Sequence, residues 1–294
     1  MNNSRYARLK LLGGTITIKL IALDIDDTLL NSEKKITAKT YEALIAAQKQ
    51  GVKIALVSGR PHQGLKALAE KLQLKTYGGY LVSYNGSLVY DLAQDKRLFN
   101  QALDPELAQA IFNHLEKFDV YPFLDVGSYS YVYDAYADIG VEFPPGFPNV
   151  VAYETRNCNF KICEVDHLAD KVQPEGVNKV LVAGNPDYMQ ENVEAMVAPF
   201  KDQVTTAFSA PFYLEYTDQG IDKGHALKEA FEPLGITSEN IIAFGDNEND
   251  LAMIKYAGVG VAMGNAVAAV KDVADFITDD CDHDGIAKAL EKYL

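Results

Sequence analysis

Three scarcities narrow the possibilities before any motif is read. The 294-residue chain has only three cysteines, Cys158, Cys163 and Cys281. Their odd number and their spacing fit neither a disulfide framework nor a zinc site, so a reducing cytoplasm is the simplest setting for them. Long apolar runs are also missing. The best candidate, 258–270, is thirteen residues with three glycines and Asn265 inside it, short of the roughly 18 needed to cross a bilayer. Positive charge is the third. Lys and Arg number 27 against 41 Asp and Glu, a net charge of −14, which disfavours a nucleic-acid partner and an anionic membrane surface. Low-complexity tracts and internal repeats are absent from the sequence as well.

What is present is an ordinary soluble composition, 48% hydrophobic and 23% charged, with enough length for two domains that each bury a core. Residues 1–17 hold Arg5, Arg8 and Lys10 but lack the apolar core and cleavage site of a secretory signal. They read as a poorly ordered N-terminal extension. From Ile18 onward, short apolar runs alternate with amphipathic stretches. Strands are expected at 18–23, 52–57 and 80–84, with a helix capped by Thr37 and another opening at Pro61. The alternation returns late, with helices over 223–234 and 248–256, strands at 241–245, 259–263 and 276–278, and a last helix opening at Asp284 or Gly285. This order predicts an α/β fold, a doubly wound parallel (Rossmann-like) sheet.

The middle has another texture. A hairpin over 87–99 is followed by a helix with Asp104 as cap and Pro105 in its first turn. Residues 129–136 alternate like a strand exposed on one face, and 143–148 hold three prolines that forbid regular structure. Asn185-Pro186 opens a further helix before strand-like runs at 204–208 and 212–216. The expected organisation is a core of 18–87 and 216–294 with an inserted α+β domain over 88–215, hinged near 87–89 and 215–220.

Chemistry is concentrated where the first strand ends, in Asp24-Ile-Asp26-Asp27-Thr28. Acids at the tip of a parallel strand sit where open α/β sheets bind ligands, and residues two apart on a strand share a side. A lone Asp-x-Asp is weak, because acids often cap turns there. Ser58-Gly59-Arg60 after the second strand offers a hydroxyl and free amides at a helix start, either an anion site or a simple cap. Gly245-Asp246-Asn-Glu-Asn249-Asp250 after the 241–245 strand is by itself an acid-rich helix start. If these strands are neighbours, Asp24, Asp26, Asp246 and Asp250 converge and repel one another. A hard divalent cation with oxygen ligands relieves that repulsion, and Mg²⁺ with a phosphate oxygen suits it best. Lys223, at a helix start, would add positive charge.

These four motifs, with Asp222-Lys223-Gly as the third, resemble in order those of the haloacid dehalogenase-like phosphohydrolases. The long insertion is similar to the family's type-two (subfamily IIB) cap. Tyr84-Asn85-Gly86 and Met263-Gly264-Asn265-Ala266 resemble the Cof-type sugar-phosphatase branch. The resemblance covers residues 18–294. It implies that Asp24 is the nucleophile forming an aspartyl-phosphate, and that Asp26 is the general acid and then the base. It assigns the phosphoryl oxygens to Ser58, Lys223 and backbone amides near Asp27 and Gly59, with Asn249 supporting phosphate or substrate. It gives Mg²⁺ to the Asp24 carboxylate, the Asp26 carbonyl and Asp246, with Asp250 orienting the metal shell.

The implied activity is Mg²⁺-dependent hydrolysis of small phosphorylated metabolites, with sugar phosphates foremost. A phosphomutase of the same superfamily is the near alternative, and a signalling module carrying phosphate on Asp24 the distant one. Monomer and homodimer both stay open. Weaker features receive plainer expectations. The acidic run 279–284 with His283 reads as a solvated loop capping the last helix, with a second ion or a substrate contact as the other option. Tyr129, Tyr131, Tyr133 and Tyr136 read as packing residues, with a sugar-binding face as the alternative. The remaining histidines show no ligand spacing.

Overall fold

The computed structural model describes residues 17–294. The extension expected over 1–17 lies, apart from Thr17, outside them. Strands come in three groups along the chain. First are β1 (Leu20–Leu23), β2 (Lys53–Val57), β3 (Tyr80–Ser83), β4 (Leu88–Asp91) and β5 (Lys96–Asn100). Then come β6 (Tyr121–Val126), β7 (Tyr129–Val132), β8 (Lys161–Glu164), β9 (Val180–Ala183), β10 (Val204–Ala210) and β11 (Tyr213–Asp218). The last are β12 (Ile241–Gly245), β13 (Val259–Ala262) and β14 (Phe276–Ile277).

One sheet has the order β14-β13-β12-β1-β2-β3-β4-β5. From β14 to β3 every pairing is parallel. All four residues of β1 and all five of β12 are buried, as strands covered on both faces must be. Each fully buried leucine or isoleucine there contributes about 1.5–3 kcal/mol. The helices Ala38–Lys49, His62–Lys71 and Lys223–Phe231 supply the cover, through Leu44, Leu65, Leu227 and Phe231. Strand order reverses between β1 and β12. Ligands of open α/β sheets bind at such a reversal, outside the carboxyl ends of the strands.

The chain divides into two compact units, residues up to Phe99 with Asp222–Leu294, and Asn100–Ile221. This corrects the expected boundaries at 87/88 and 215/216. β4 pairs antiparallel with β3, Ser83 opposite Leu88 and Tyr80 opposite Asp91, and β5 lies beyond it. The hairpin covers the open edge of β3, so it belongs to the parallel sheet and not to the insertion. At the other crossing, β11 continues to Asp218 within the second unit's sheet.

That second sheet has the order β10-β11-β9-β6-β7-β8, antiparallel except for β7 with β8. Helices Pro105–Leu115 and Pro186–Val197, capped by Asp104 and Asn185, pack one face through Ile111, Phe112, Met189 and Met196. Helix Val150–Asn157 packs the other through Val150 and Val151, against Phe123, Leu181 and Tyr213. The second face also holds an ion pair, Lys179 Nζ to Glu215 Oε1 at 2.8 Å. Residues 143–148 are irregular, as their prolines require. The strand expected over 129–136 stops at Val132. Tyr131 and Tyr133 pack against the core of this unit, whereas Tyr136 is exposed. Among the described residues, no helix is long and apolar enough to cross a membrane.

Candidate active site

The parallel ladder runs one residue past β1: the Asp24 amide donates to Phe244 O at 3.1 Å. The chain then folds back. Leu29 N reaches Asp24 O at 3.3 Å and Leu30 N reaches Ile25 O at 2.8 Å, with Asp27 left-handed at φ 59°. Aspartate is one of the few residues other than glycine that tolerates that conformation. The loop leaves the Asp24 side chain at the switch point, nearly buried.

Lys223 meets it there. Asp222 caps its helix, its carboxylate accepting from His225 N at 2.7 Å, which fixes Lys223 at the first helical position. Its fully buried Nζ donates to Asp24 Oδ1 and to Asp250 Oδ1, each at 2.6 Å. Asp250 Oδ2 accepts the amides of Asp246 at 2.9 Å and Asn247 at 3.0 Å. One carboxylate therefore ties the loop after β12 to the lysine. A side chain at Gly245 would place its Cβ 2.5 Å from that of Asp250, so only glycine admits this contact. Asp246 Oδ1 accepts from the Thr28 hydroxyl at 2.6 Å.

One oxygen from each of Asp24, Asp246 and Asp250 lies within 4.8 Å of the others. Burial, opposed by Lys223 and aided by the charges of Asp250 and Asp246, pushes Asp24 up to about 8. Burial and the neighbouring acids likewise push Asp246 up to about 6, against its bond from Thr28. Burial alone would discharge Lys223, but the charges of Asp24 and Asp250 outweigh it and raise its pKa. Three buried carboxylates facing one lysine are short of positive charge, and an oxygen-only donor set of this size fits a hard divalent cation.

Asp26 turns elsewhere. Its carboxylate takes a forked pair from Arg60, Nε to Oδ2 at 2.9 Å and Nη2 to Oδ1 at 2.7 Å. Lys34 Nζ lies 3.6 Å from Asp26 and 3.0 Å from Asp27. Burial pulls the Asp26 pKa upward, but the Arg60 bonds and charge and then Lys34 hold it below the ordinary value. The expected contribution of Asp26 to metal binding is through its carbonyl, and its carboxylate is not one of the three clustered oxygens.

Ser58 is buried where the β2–β3 ladder continues, its amide donating to Val82 O at 2.9 Å and its hydroxyl accepting from Arg60 N at 3.2 Å. The neighbouring turn is strained. Tyr84, Asn85 and Gly86 have φ of 54°, 56° and 107°, at about 1–2 kcal/mol for each non-glycine residue. Tyr84 N donates to Arg60 O at 3.0 Å and Asn85 N to Ser58 O at 2.9 Å. Asn249 Nδ2 donates to Asn85 Oδ1 at 3.1 Å.

The structure thus gathers Asp24, Lys223, Asp246 and Asp250 into one buried group, with Asp26, Ser58 and Gly59 in the flanking loops. Asn249 reaches the Ser58-Gly59 loop through Asn85. Asp27 pairs with Lys34 at the surface, and its carbonyl accepts from Asn265 Nδ2 at 2.7 Å. Roles for Thr28, Arg60, Lys34 and Asn85 are not legible in the sequence. Thr28 and Arg60 stand inside the strand-end motifs, but their contacts span 218 and 34 residues. The acids of the 279–284 loop are individually engaged: Asp279 with Lys288, Asp280 with His283, Asp282 with Ser32 and Asp284 with Lys39. They form no shared cation site among the described residues.

A family model for haloacid dehalogenase-like hydrolases matches residues 21–290. The chain belongs to this family. Its Cof-type branch is the one the sequence resembles, and this hydrolase is a phosphatase by the company it keeps. A Bacillus subtilis relative, 5-amino-6-(5-phospho-D-ribitylamino)uracil phosphatase YcsE, is 33% identical over 279 residues, 95% of this chain and 97% of the relative. Among solved structures, a haloacid dehalogenase-like hydrolase from Bacteroides thetaiotaomicron superposes with a TM-score of 0.85 at 32% identity, covering 95% of this chain and 100% of that one. The subclass IIB sugar phosphatase BT4131 superposes at 0.70 and 25% identity, covering 94% and 98%.

Proposed function

We propose that this phosphatase is Mg²⁺-dependent and releases phosphate from small phosphorylated metabolites, sugar or sugar-alcohol monoesters above all, through an aspartyl-phosphate on Asp24. One observation carries the proposal: Asp24, at the switch point, is bonded by buried Lys223 and clustered with Asp246 and Asp250. The substrate class is supported by the ribityl phosphate in the name of YcsE and the sugar phosphatase title of BT4131.

The Asp24 and Asp246 carboxylates, with the Asp26 carbonyl, would hold Mg²⁺, and Asp250 would orient that set. Bound there, the ion supplies neutralisation of phosphoryl charge. An Asp24 oxygen attacks phosphorus, and the bond from phosphorus to the ester oxygen breaks. Asp26 gives its proton to the departing alkoxide. It then takes a proton from water, whose oxygen attacks the same phosphorus, freeing orthophosphate and restoring the Asp24 carboxylate. Phosphoryl transfer depends mainly on positioning and charge stabilisation. Lys223 and Ser58, with the amides around Asp27 and Gly59, supply these to the phosphoryl oxygens, and Asn249 supports the bound group.

Arg60 holds Asp26 ionised in the free enzyme. An arriving phosphate dianion competes for Arg60 and repels the Asp26 charge, and both effects favour the protonated acid that the first step needs. The inserted unit, residues 100–221, corresponds to the expected type-two cap, a role that would restrict the enzyme to small phosphates.

The test is phosphate release from a panel of sugar, sugar-alcohol, nucleotide and cofactor phosphates, with Mg²⁺ or with EDTA, beside Asp24→Asn. Turnover should need Mg²⁺ and vanish in the variant. Full activity in Asp24→Asn would remove the nucleophile assignment. Isomerised product without free phosphate would replace hydrolysis by a phosphomutase reaction.

A further inference from the structure

Tyr84–Gly86 is the only run of three successive positive-φ residues among the described residues, and the proposed chemistry makes no use of it. A bulky tyrosine at φ 54° is an outlier, and outliers persist where the surroundings over-determine them. We propose that Asn85 is a positioning residue of the phosphate cradle, holding the Ser58-Gly59 segment and Asn249 in register. The proposal rests on the phosphatase reading of the same site.

Asn85 touches two of the motif loops directly. Its amide donates to Ser58 O at 2.9 Å, and its Oδ1 accepts from Asn249 Nδ2 at 3.1 Å. Gly59 lies against its side chain so closely that a Cβ there would sit 3.0 Å from Oδ1 and 3.1 Å from Nδ2. The next residue reaches the third loop. A Cβ on Gly86 would lie 2.5 Å from Asp222 O, the cap of the helix that presents Lys223. Tyr84 N bonds Arg60 O, and Arg60 grips Asp26. The turn is thus in contact with the segments bearing Ser58, Gly59, Arg60, Lys223 and Asn249.

Asparagine suits the position for two reasons. It tolerates the left-handed region better than other side chains, and its amide offers an acceptor that a hydrophobic residue lacks. A hairpin between β3 and β4 needs only the first property. A tether between the Ser58-Gly59 and Asn249 loops needs the second.

Asn85→Gly separates the two, because glycine keeps the backbone conformation and deletes the tether. In the full-length protein, Asn85→Gly should keep its thermal midpoint within a few degrees. It should raise KM and the inhibition constant of orthophosphate by about 10-fold while lowering kcat less than about 3-fold, the signature of lost binding that is common to ground and transition states. Combined with Asn249→Ala it should do little more than the more damaging single change, since the two residues share one contact. Amide exchange over 58–60 and 247–250 should rise by several-fold.

Unchanged KM, orthophosphate inhibition and exchange in Asn85→Gly would overturn the proposal, as would strictly additive effects with Asn249→Ala. If the wild-type enzyme hydrolyses nothing on the panel, the phosphatase reading fails first. The exchange measurement then decides the positioning role alone.

Discussion

Each unit of this molecule buries a lysine against carboxylates, and the two arrangements have little else in common. Lys223 stands at a helix start beyond the strand tips, bonded to Asp24 and Asp250. Lys179 precedes β9, on a sheet face, bonded to Glu215 and near Asp125 and Glu154. In the first case the acids converge until three oxygens share one small volume. In the second they are spread over separate strands and a helix, and no such group forms among the described residues. Burial and charge pairing alone do not mark a catalytic site. Convergence at a strand-order reversal is what sets the first cluster apart as the candidate active site.

The sharpest contrast should come from removing reactive charge. Asp24→Asn is expected to lower turnover by about 10⁴-fold or more, measured as phosphate release. Its thermal midpoint in EDTA at neutral pH should stay near that of the wild type, since Asp24, pushed up to about 8, is already largely uncharged there and the amide oxygen can still accept from Lys223. A large fall in that midpoint would show that the cluster stabilises the fold and is not poised for a cation.

The two lysines test the comparison directly. Lys179→Met strands Glu215 without its partner and should cost about 3–5 kcal/mol of stability, which Mg²⁺ does not restore. Lys223→Met strands Asp24 and Asp250, and part of its loss should return on adding Mg²⁺, because a cation can take the place of the ammonium. Denaturant unfolding with and without Mg²⁺ reads both. Equal Mg²⁺ responses would erase the distinction between the clusters.

Proton competition gives the next effect. With Asp24 up at about 8 and Asp246 at about 6, a cation must displace the Asp24 proton below about pH 8 and the Asp246 proton only near pH 6 and below. Apparent Mg²⁺ affinity should therefore rise from pH 6 to 8, by up to about 10-fold per pH unit for each proton released. A flat profile in calorimetric titrations would contradict it.

The smallest effect concerns Asp125, which burial, with the charge of Glu154 adding, pushes up to about 7. The folded state binds this proton more tightly than the unfolded chain. Its contribution is thus fully favourable below the usual carboxylate value near 4 and is lost as pH climbs through about 7. Asp125→Asn should flatten that part of the stability profile. An unchanged slope would mean that Lys179 already holds the acid ionised.

Much of the candidate active-site end was legible because each element announces itself locally. Apolar runs mark β1, β2 and β12, and each is followed at once by the residues that converge. Contacts across long sequence distances were not legible. Nothing in Asn85 foretells Asn249, and nothing in Asp26 foretells the Arg60 fork. The inserted unit was harder to read. Pro122 and Asp125 obscure β6, Lys179 precedes β9, and β8 is four residues with little burial, so the alternation that betrays a strand is broken. The hairpin at 88–100 was recognised, but its pattern does not specify which sheet it joins.

The pairing of β1 with β12 bears on how the protein is made. Leu20 lies opposite Ile241, some 220 residues later in synthesis. At about 5–20 residues per second, a ribosome delivers the second strand on the order of ten to forty seconds after the first. Through that interval one edge of a wholly apolar strand waits without its neighbour, and Asp24 waits without Lys223. The insertion, contiguous in sequence, can close its own core meanwhile. The newborn chain is therefore expected to acquire its second unit first, and to depend on chaperones until the strands beyond Ile221 emerge.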